Sequence, residues 1–157
     1  MKILQANPEI PSMTMEDTQR FLESKLNLQF ATVDNNGDPN IQPVWFSYDK
    51  EKEKIFIMTG KKTTKSQNVQ ISPIIYFCVE DGNSPYKSVK GKGFATIFDD
   101  LQTVISVSEK IIIKYLSTLD NPMAKTISER SKSGEGIIIE IAPKFFSTWD
   151  FGKMSSP

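Results

Sequence analysis

The segment KIFIMTGKKTTKSQNVQ, residues 54–70, gathers residue types that hold a small anion. A strand-like run ends at Met58, Thr59 and Gly60 turn the chain, and Lys61, Lys62, Thr63, Thr64, Lys65 and Ser66 follow where a short helix begins. Lysine supplies charge, threonine supplies hydroxyl donors, and the free N–H groups of a helix start point outward, so a phosphate is the natural guest. The two glycines and the Gly-Lys-Ser/Thr order of a Walker A loop are missing, which sets nucleotide hydrolysis of that type aside. Taken alone, the same run also reads as an ordinary solvated turn.

Two absences narrow the chemistry further. The chain has no histidine, which removes histidine-based triads, His-ligated zinc and histidine proton relays. Its single cysteine, Cys78, lies in the apolar run IIYFCVE and reads as a small buried apolar residue, not a nucleophile. No catalytic side chain and no metal site is expected; an enzyme of this composition draws its hard chemistry from a cofactor.

A chain of 157 residues with 38% hydrophobic content supports one core, so a single domain over 1–157 is expected. No apolar run nears the ~20 residues of a membrane span, and the N-terminus lacks the apolar stretch and cleavage site of a secretory signal. A cytoplasmic protein without membrane partners is the expectation. The formal net charge is zero, which argues against nucleic acid as a partner. The total hides an asymmetry, because residues 54–98 carry seven lysines and only two acids, Glu80 and Asp81. A compact anion site fits this better than a long groove does.

The elements that must position the lysine-rich turn follow from periodicity. Thr14 with Asp17 three residues later starts a helix of about 14–26. LQFATV (28–33) and NIQPVWFSY (40–48) read as strands joined by the tight turn DNNGD. Pro43 within the second strand marks a bulge or an edge, leaving backbone groups of Gln42 to Trp45 free to meet something other than a strand. KIFIM (54–58), a helix at about 61–71, and strands at 73–80 and 86–98 come next; Gly91 and Gly93 suggest that the last of these bends strongly. Lys87, Lys90 and Lys92 are read as sharing one face of it. Helical spacing over 100–119 and a short helix to about 132 precede a last strand at 136–150. The result is a mainly β, α+β fold: a six-stranded antiparallel barrel with peripheral helices at about 14–26, 61–71 and 100–132.

FATVDNNGDPNIQPVWFSYD, KIFIMTGKKTTKSQNV, SPIIYFCVED, YKSVKGKGFATI and IIIEIAPKFFSTWDFGK stand in the order seen in the pyridoxamine 5'-phosphate oxidase-like flavin-binding split-barrel proteins. The resemblance spans about residues 15–153. It implies a split barrel that works as a homodimer, with FMN, or alternatively a deazaflavin, at the subunit interface and a small-molecule substrate beside it. Thr59, Lys62, Thr64 and Lys65 resemble the phosphate site, with Asn68 orienting that loop. Gln42, Pro43, Val44 and Trp45 resemble the strand whose backbone lies along the flavin ring. Tyr86 resembles a ring-contacting residue, and Trp149 a C-terminal tryptophan that packs by the flavin from the other subunit. Trp45, Tyr86, Phe145, Phe146 and Trp149 are expected near that interface.

The chain departs from the family's namesake in lacking histidine, and its only arginines, Arg20 and Arg130, fall outside the matched stretches. The resemblance thus implies a flavin-dependent oxidoreductase of another small molecule in place of pyridoxal phosphate synthesis. Two readings stand beside it. One is a non-catalytic flavin-binding or carrier protein. The other is a barrel that binds single-stranded nucleic acid by stacking on Phe30, Trp45, Phe46, Phe56 and Tyr86.

Overall fold

A computed structural model describes residues 1–154. In chain order they form β1 (Ile3–Gln5), α1 (Met15–Leu22), β2 (Leu28–Val33), β3 (Pro39–Val44), β4 (Phe46–Asp49), β5 (Lys54–Gly60), α2 (Thr64–Ile71), β6 (Ile74–Asp81), β7 (Lys87–Phe98), α3 (Leu101–Leu116), α4 (Pro122–Lys132) and β8 (Gly136–Asp150). The strands lie in the order β3-β2-β6-β7-β8-β5-β4, and β1 adds in parallel to β8. The two ends of that path, β3 and β4, are consecutive in the chain with only Trp45 between them, so the sheet closes on itself through one covalent bend.

The architecture is the expected mainly antiparallel barrel with peripheral helices, but it has eight strands where six were expected. The run over 40–48 breaks at Trp45 because its halves have different partners: β3 pairs with β2, and β4 with β5. Strand β1 has three residues, too few to leave a periodic signal. The turn over 34–38 is looser than a two-residue hairpin. Only Gly37 has a positive φ, at 89°, and the Asp34 side chain accepts from the N–H groups of Asn36 and Asp38 at 2.8 and 2.9 Å.

Period-two alternation fills the barrel. Leu28, Phe30, Ile55, Ile57, Ile139 and Ile141 point inward with Phe46, Phe77 and Phe146, each fully or almost fully buried. Burial of such side chains stabilises by about 1.5–3 kcal/mol each. Phe146, expected among the exposed aromatics, is a core residue, edge-on to Phe77 at 6.1 Å and to Tyr48 at 6.2 Å. Gly91 permits this packing: a Cβ there would stand 2.5 Å from the Phe145 carbonyl oxygen and 2.6 Å from the tip of Phe77. The β7–β8 register slips between Lys92 and Gly93, which concentrates curvature at the paired glycines.

The helices start and stop by identifiable devices. Thr14 and Asp17 form a full capping box for α1, which ends at Leu22 and not near 26; Ser24 and Glu23 turn their N–H groups back onto Phe21 and Arg20. Helix α2 starts at Thr64 and not at 61, because Lys61 donates its N–H to the Glu135 carbonyl at 2.9 Å and Thr63 donates to that of Gly60 at 3.3 Å. Asp100 and Asn121 cap α3 and α4, which pack outside the barrel and bury Val104, Ile111, Ile112 and Ala124. Two smaller expectations need correction. Cys78 is half-buried, not buried, with its Sγ 3.4 Å from the Ser88 hydroxyl. Lys87 has the opposite parity to Lys90 and Lys92 and pairs with buried Asp150 at 3.5 Å.

Candidate functional site

The barrel splits beside Trp45. Pairing of β4 with β5 ends at Ile57, yet β5 runs on to Gly60 with β8 as its only partner among the described residues. Strand β3 has β2 alone as a neighbour, a position that tolerates Pro43. Two strand edges, Gln42–Val44 and Met58–Gly60, therefore part at the bend. Val44 is buried, Gln42 half-buried and Pro43 exposed. Trp45 turns away from the barrel and stacks on Tyr115 of α3, with centroids 4.6 Å apart and planes 2° from parallel.

At the mouth of β5 the hydroxyls of Thr59, Thr63 and Ser66 are linked at 3.2 and 2.7 Å, and those of Thr63 and Ser66 reach the Gly60 carbonyl at 3.1 and 2.7 Å. Thr63 spends its hydroxyl on this network and leaves α2 without a side-chain cap. The first N–H groups of α2 thus keep their capacity for an outside acceptor. Thr64 is exposed beside them. Lys65 is half-buried and has no ion pair among the described residues; burial pulls its ammonium below the ordinary lysine range. Lys62 is exposed and reaches Glu135 only at 4.0 Å. Asn68 sits behind the loop, where it donates to the buried Thr32 hydroxyl at 3.0 Å and fastens α2 to β2.

A cavity of about 760 Å³ flanks this loop. Its walls come from the end of β5, the start of β8, and the facing sides of α3 and α4, with Met58, Val104 and Ile127 apolar and Lys61, Lys62 and Arg130 cationic. Thr59 and Lys62 belong to both loop and cavity. Arg130 is the residue that sequence reasoning missed. It lies outside every recognisable motif, and only the fold-back of α4 brings it to the loop.

Tyr86 and Trp149 meet elsewhere. Together with Phe151 they line a second cavity of about 520 Å³, Tyr86 standing edge-on to Phe151 at 6.1 Å. Gly136, beside the phosphate-like loop, and Trp149 lie near opposite ends of β8. One chain thus gathers Thr59, Lys62, Thr64 and Lys65 in one loop, while Tyr86 and Trp149 line a separate cavity.

Comparison with known proteins places this arrangement. None of the curated protein sequences is significantly similar to the chain. Among solved structures, a conserved hypothetical protein from Mycobacterium tuberculosis is 20% identical with a TM-score of 0.82, over 98% of this chain and 94% of that one. An F420 reductase is 25% identical with a TM-score of 0.67, over 82% and 94% of the two chains. The heme storage protein HutZ from Vibrio cholerae is 16% identical with a TM-score of 0.65, over 83% and 88%. A family model described as pyridoxamine 5'-phosphate oxidase matches residues 14–149, most of the chain. A split barrel with this strand order, matched over that span, belongs to the pyridoxamine 5'-phosphate oxidase family.

Proposed function

We propose that the protein is a flavin-dependent oxidoreductase whose cofactor phosphate is held by the Thr59–Lys65 loop. The observation that carries this is the pairing of an uncapped α2 start with a half-buried Lys65 that lacks a counter-charge among the described residues, in a family named for a phosphate-bearing substrate. Thr64 and the first N–H groups of α2 donate to the phosphate, and Lys62 and Lys65 neutralise it. The Gln42–Trp45 edge, unpaired by any strand on its far side, offers backbone groups to the ring. When bound, FMN or a deazaflavin accepts and returns a hydride, so the protein need only bind, orient and keep water out. The F420 reductase relative keeps a deazaflavin beside FMN as the cofactor to be tested.

A homodimer completes the reading. Tyr86 and Trp149 line a cavity that shares no residue with the one beside the loop of their own chain, and a second subunit can bring its own pair there. The outer face of β3, β2, β6 and β7 carries Ile41, Tyr76 and Phe94, exposed by 64%, 52% and 47%, a patch suited to a partner copy. Heme storage, as in the third relative, does not transfer by histidine ligation, because this chain has no imidazole. Titration of the purified protein with FMN and with a deazaflavin, read by absorbance and sedimentation, tests the proposal. Saturation of a dimer by either cofactor in the micromolar range is the expected result; no saturation by both overturns it.

A further inference from the structure

The 760 Å³ cavity between α3, α4 and the β5–α2 loop has a chemistry of its own. Its interior is lined by Met58, Val104, Ile127 and Ile137, and its polar lining includes Lys61 and Arg130. Lys62 is partly answered by Glu135 at 4.0 Å, whereas Arg130 has no ion pair among the described residues. One polar group inside stands unanswered as well: Ser108 of α3 is 1% exposed, lines the cavity, and its hydroxyl has no hydrogen-bond partner among the described residues. A buried helical serine ordinarily returns its hydroxyl to a carbonyl of the preceding turn, so an orphan here marks a donor held for a guest.

We infer that this cavity binds a small amphipathic anion, an apolar body with one carboxylate or similar group, with Arg130 as its anion-recognising residue and Ser108 as a donor along its length. Apolar walls with a few convergent polar groups are the common form of a small-molecule site. Arginine suits the anionic end because its planar fork meets a carboxylate through two parallel hydrogen bonds. The cavity shares Thr59 and Lys62 with the loop assigned to the cofactor, so the anion is the neighbouring substrate; that role rests on the flavin reading, whereas its binding does not.

Octanoate and 1-octanol, titrated calorimetrically into the protein with and without saturating FMN, test the inference. Octanoate is expected to bind in both states, more tightly than the alcohol. Arg130→Gln should weaken octanoate about tenfold and leave octanol unchanged, with Arg130→Lys in between. Arg130 is exposed, so its replacement leaves the core intact. Octanoate that fails to bind, that binds Arg130→Gln as well as the parent, or that is displaced by FMN overturns the inference, the last by making the cavity the cofactor's own. Octanoate binding that depends on Arg130 in a protein that takes no flavin upholds this site and defeats the flavin reading alone.

Discussion

The phenol of Tyr115 fastens the bend at Trp45 from two sides: its ring lies flat on the indole at 4.6 Å, and its hydroxyl donates to the Leu26 carbonyl at 2.7 Å and accepts from the Phe46 N–H at 3.3 Å. A single side chain of α3 thus ties the end of the α1–β2 connection to the residue at which the barrel opens.

Tyr115→Phe should keep the stack and strand both backbone partners, at about 1–3 kcal/mol. Tyr115→Leu should lose a further ~0.5–1.5 kcal/mol with the ring pair. Urea unfolding followed by tryptophan fluorescence checks both, and equal losses for the two variants would show that the stack contributes nothing.

Lys114, next to it, gives a pH signature. Its Nζ donates to the Leu22 carbonyl at 3.0 Å and lies 3.5 Å above the Phe46 ring, and burial pulls its pKa down to about 8 despite the opposing pull of Glu23. Between pH 8 and about 10.5 the unfolded chain holds a proton that the folded one has lost, so stability should rise with pH in that window. Tyr115 works the other way: burial pushes its pKa up to about 12, so the folded state keeps a proton above pH 10 and stability should fall there. Urea midpoints from pH 7 to 11 should pass through a maximum, and Lys114→Met should abolish the rising limb.

Gly91→Ala should destabilise by about 1–3 kcal/mol, since the new methyl would meet the Phe145 carbonyl and the Phe77 ring at once. Gly82→Ala, at a position with nothing within 4 Å, serves as the control. Thermal melts that shift equally would refute the packing argument.

Lys65→Ala should weaken FMN binding by roughly 10- to 150-fold, the worth of one charge-assisted hydrogen bond. Lys90→Ala, which removes an equal charge that stands 5.7 Å from the Trp149 ring, should cost far less at 0.15 M salt, where screening acts within about 8 Å. Fluorescence titration at that ionic strength distinguishes them, and a larger loss at Lys90 would move the phosphate away from the loop.

Much of this was legible in the sequence because it depends on local periodicity. The strand-like runs LQFATV, KIFIM and GIIIEIA placed three walls of the barrel, and the helical spacing over 100–119 found α3, which ends three residues earlier at Leu116. What escaped depends on partners distant in the chain. The break at Trp45 arises from a change of neighbours that no window around residues 40–48 contains. Arg130 carries no motif, and it reaches the cavity only because Lys61 and Glu135 are bonded across 74 positions. Phe146 and Phe145 differ by one residue in a slipped register, and hydrophobicity alone cannot say which of the two turns inward.

Strand β8 pairs with β7 and β5 along its first half and with β7 and β1 along its second. Its partners all lie well before it in the chain, at residues 3–5, 54–60 and 87–98, whereas β2–β3, β4–β5 and β6–β7 are local hairpins. On a ribosome the hairpins emerge first and can form in passing, but β1, made before them, must wait for β8, the latest of these eight strands to be made. Closure is then a late, long-range event with a high entropic cost. Until it happens the outward edges of β5 and β7 lie open, and the nascent chain is most exposed to mispairing in the interval before residue 150 clears the exit tunnel.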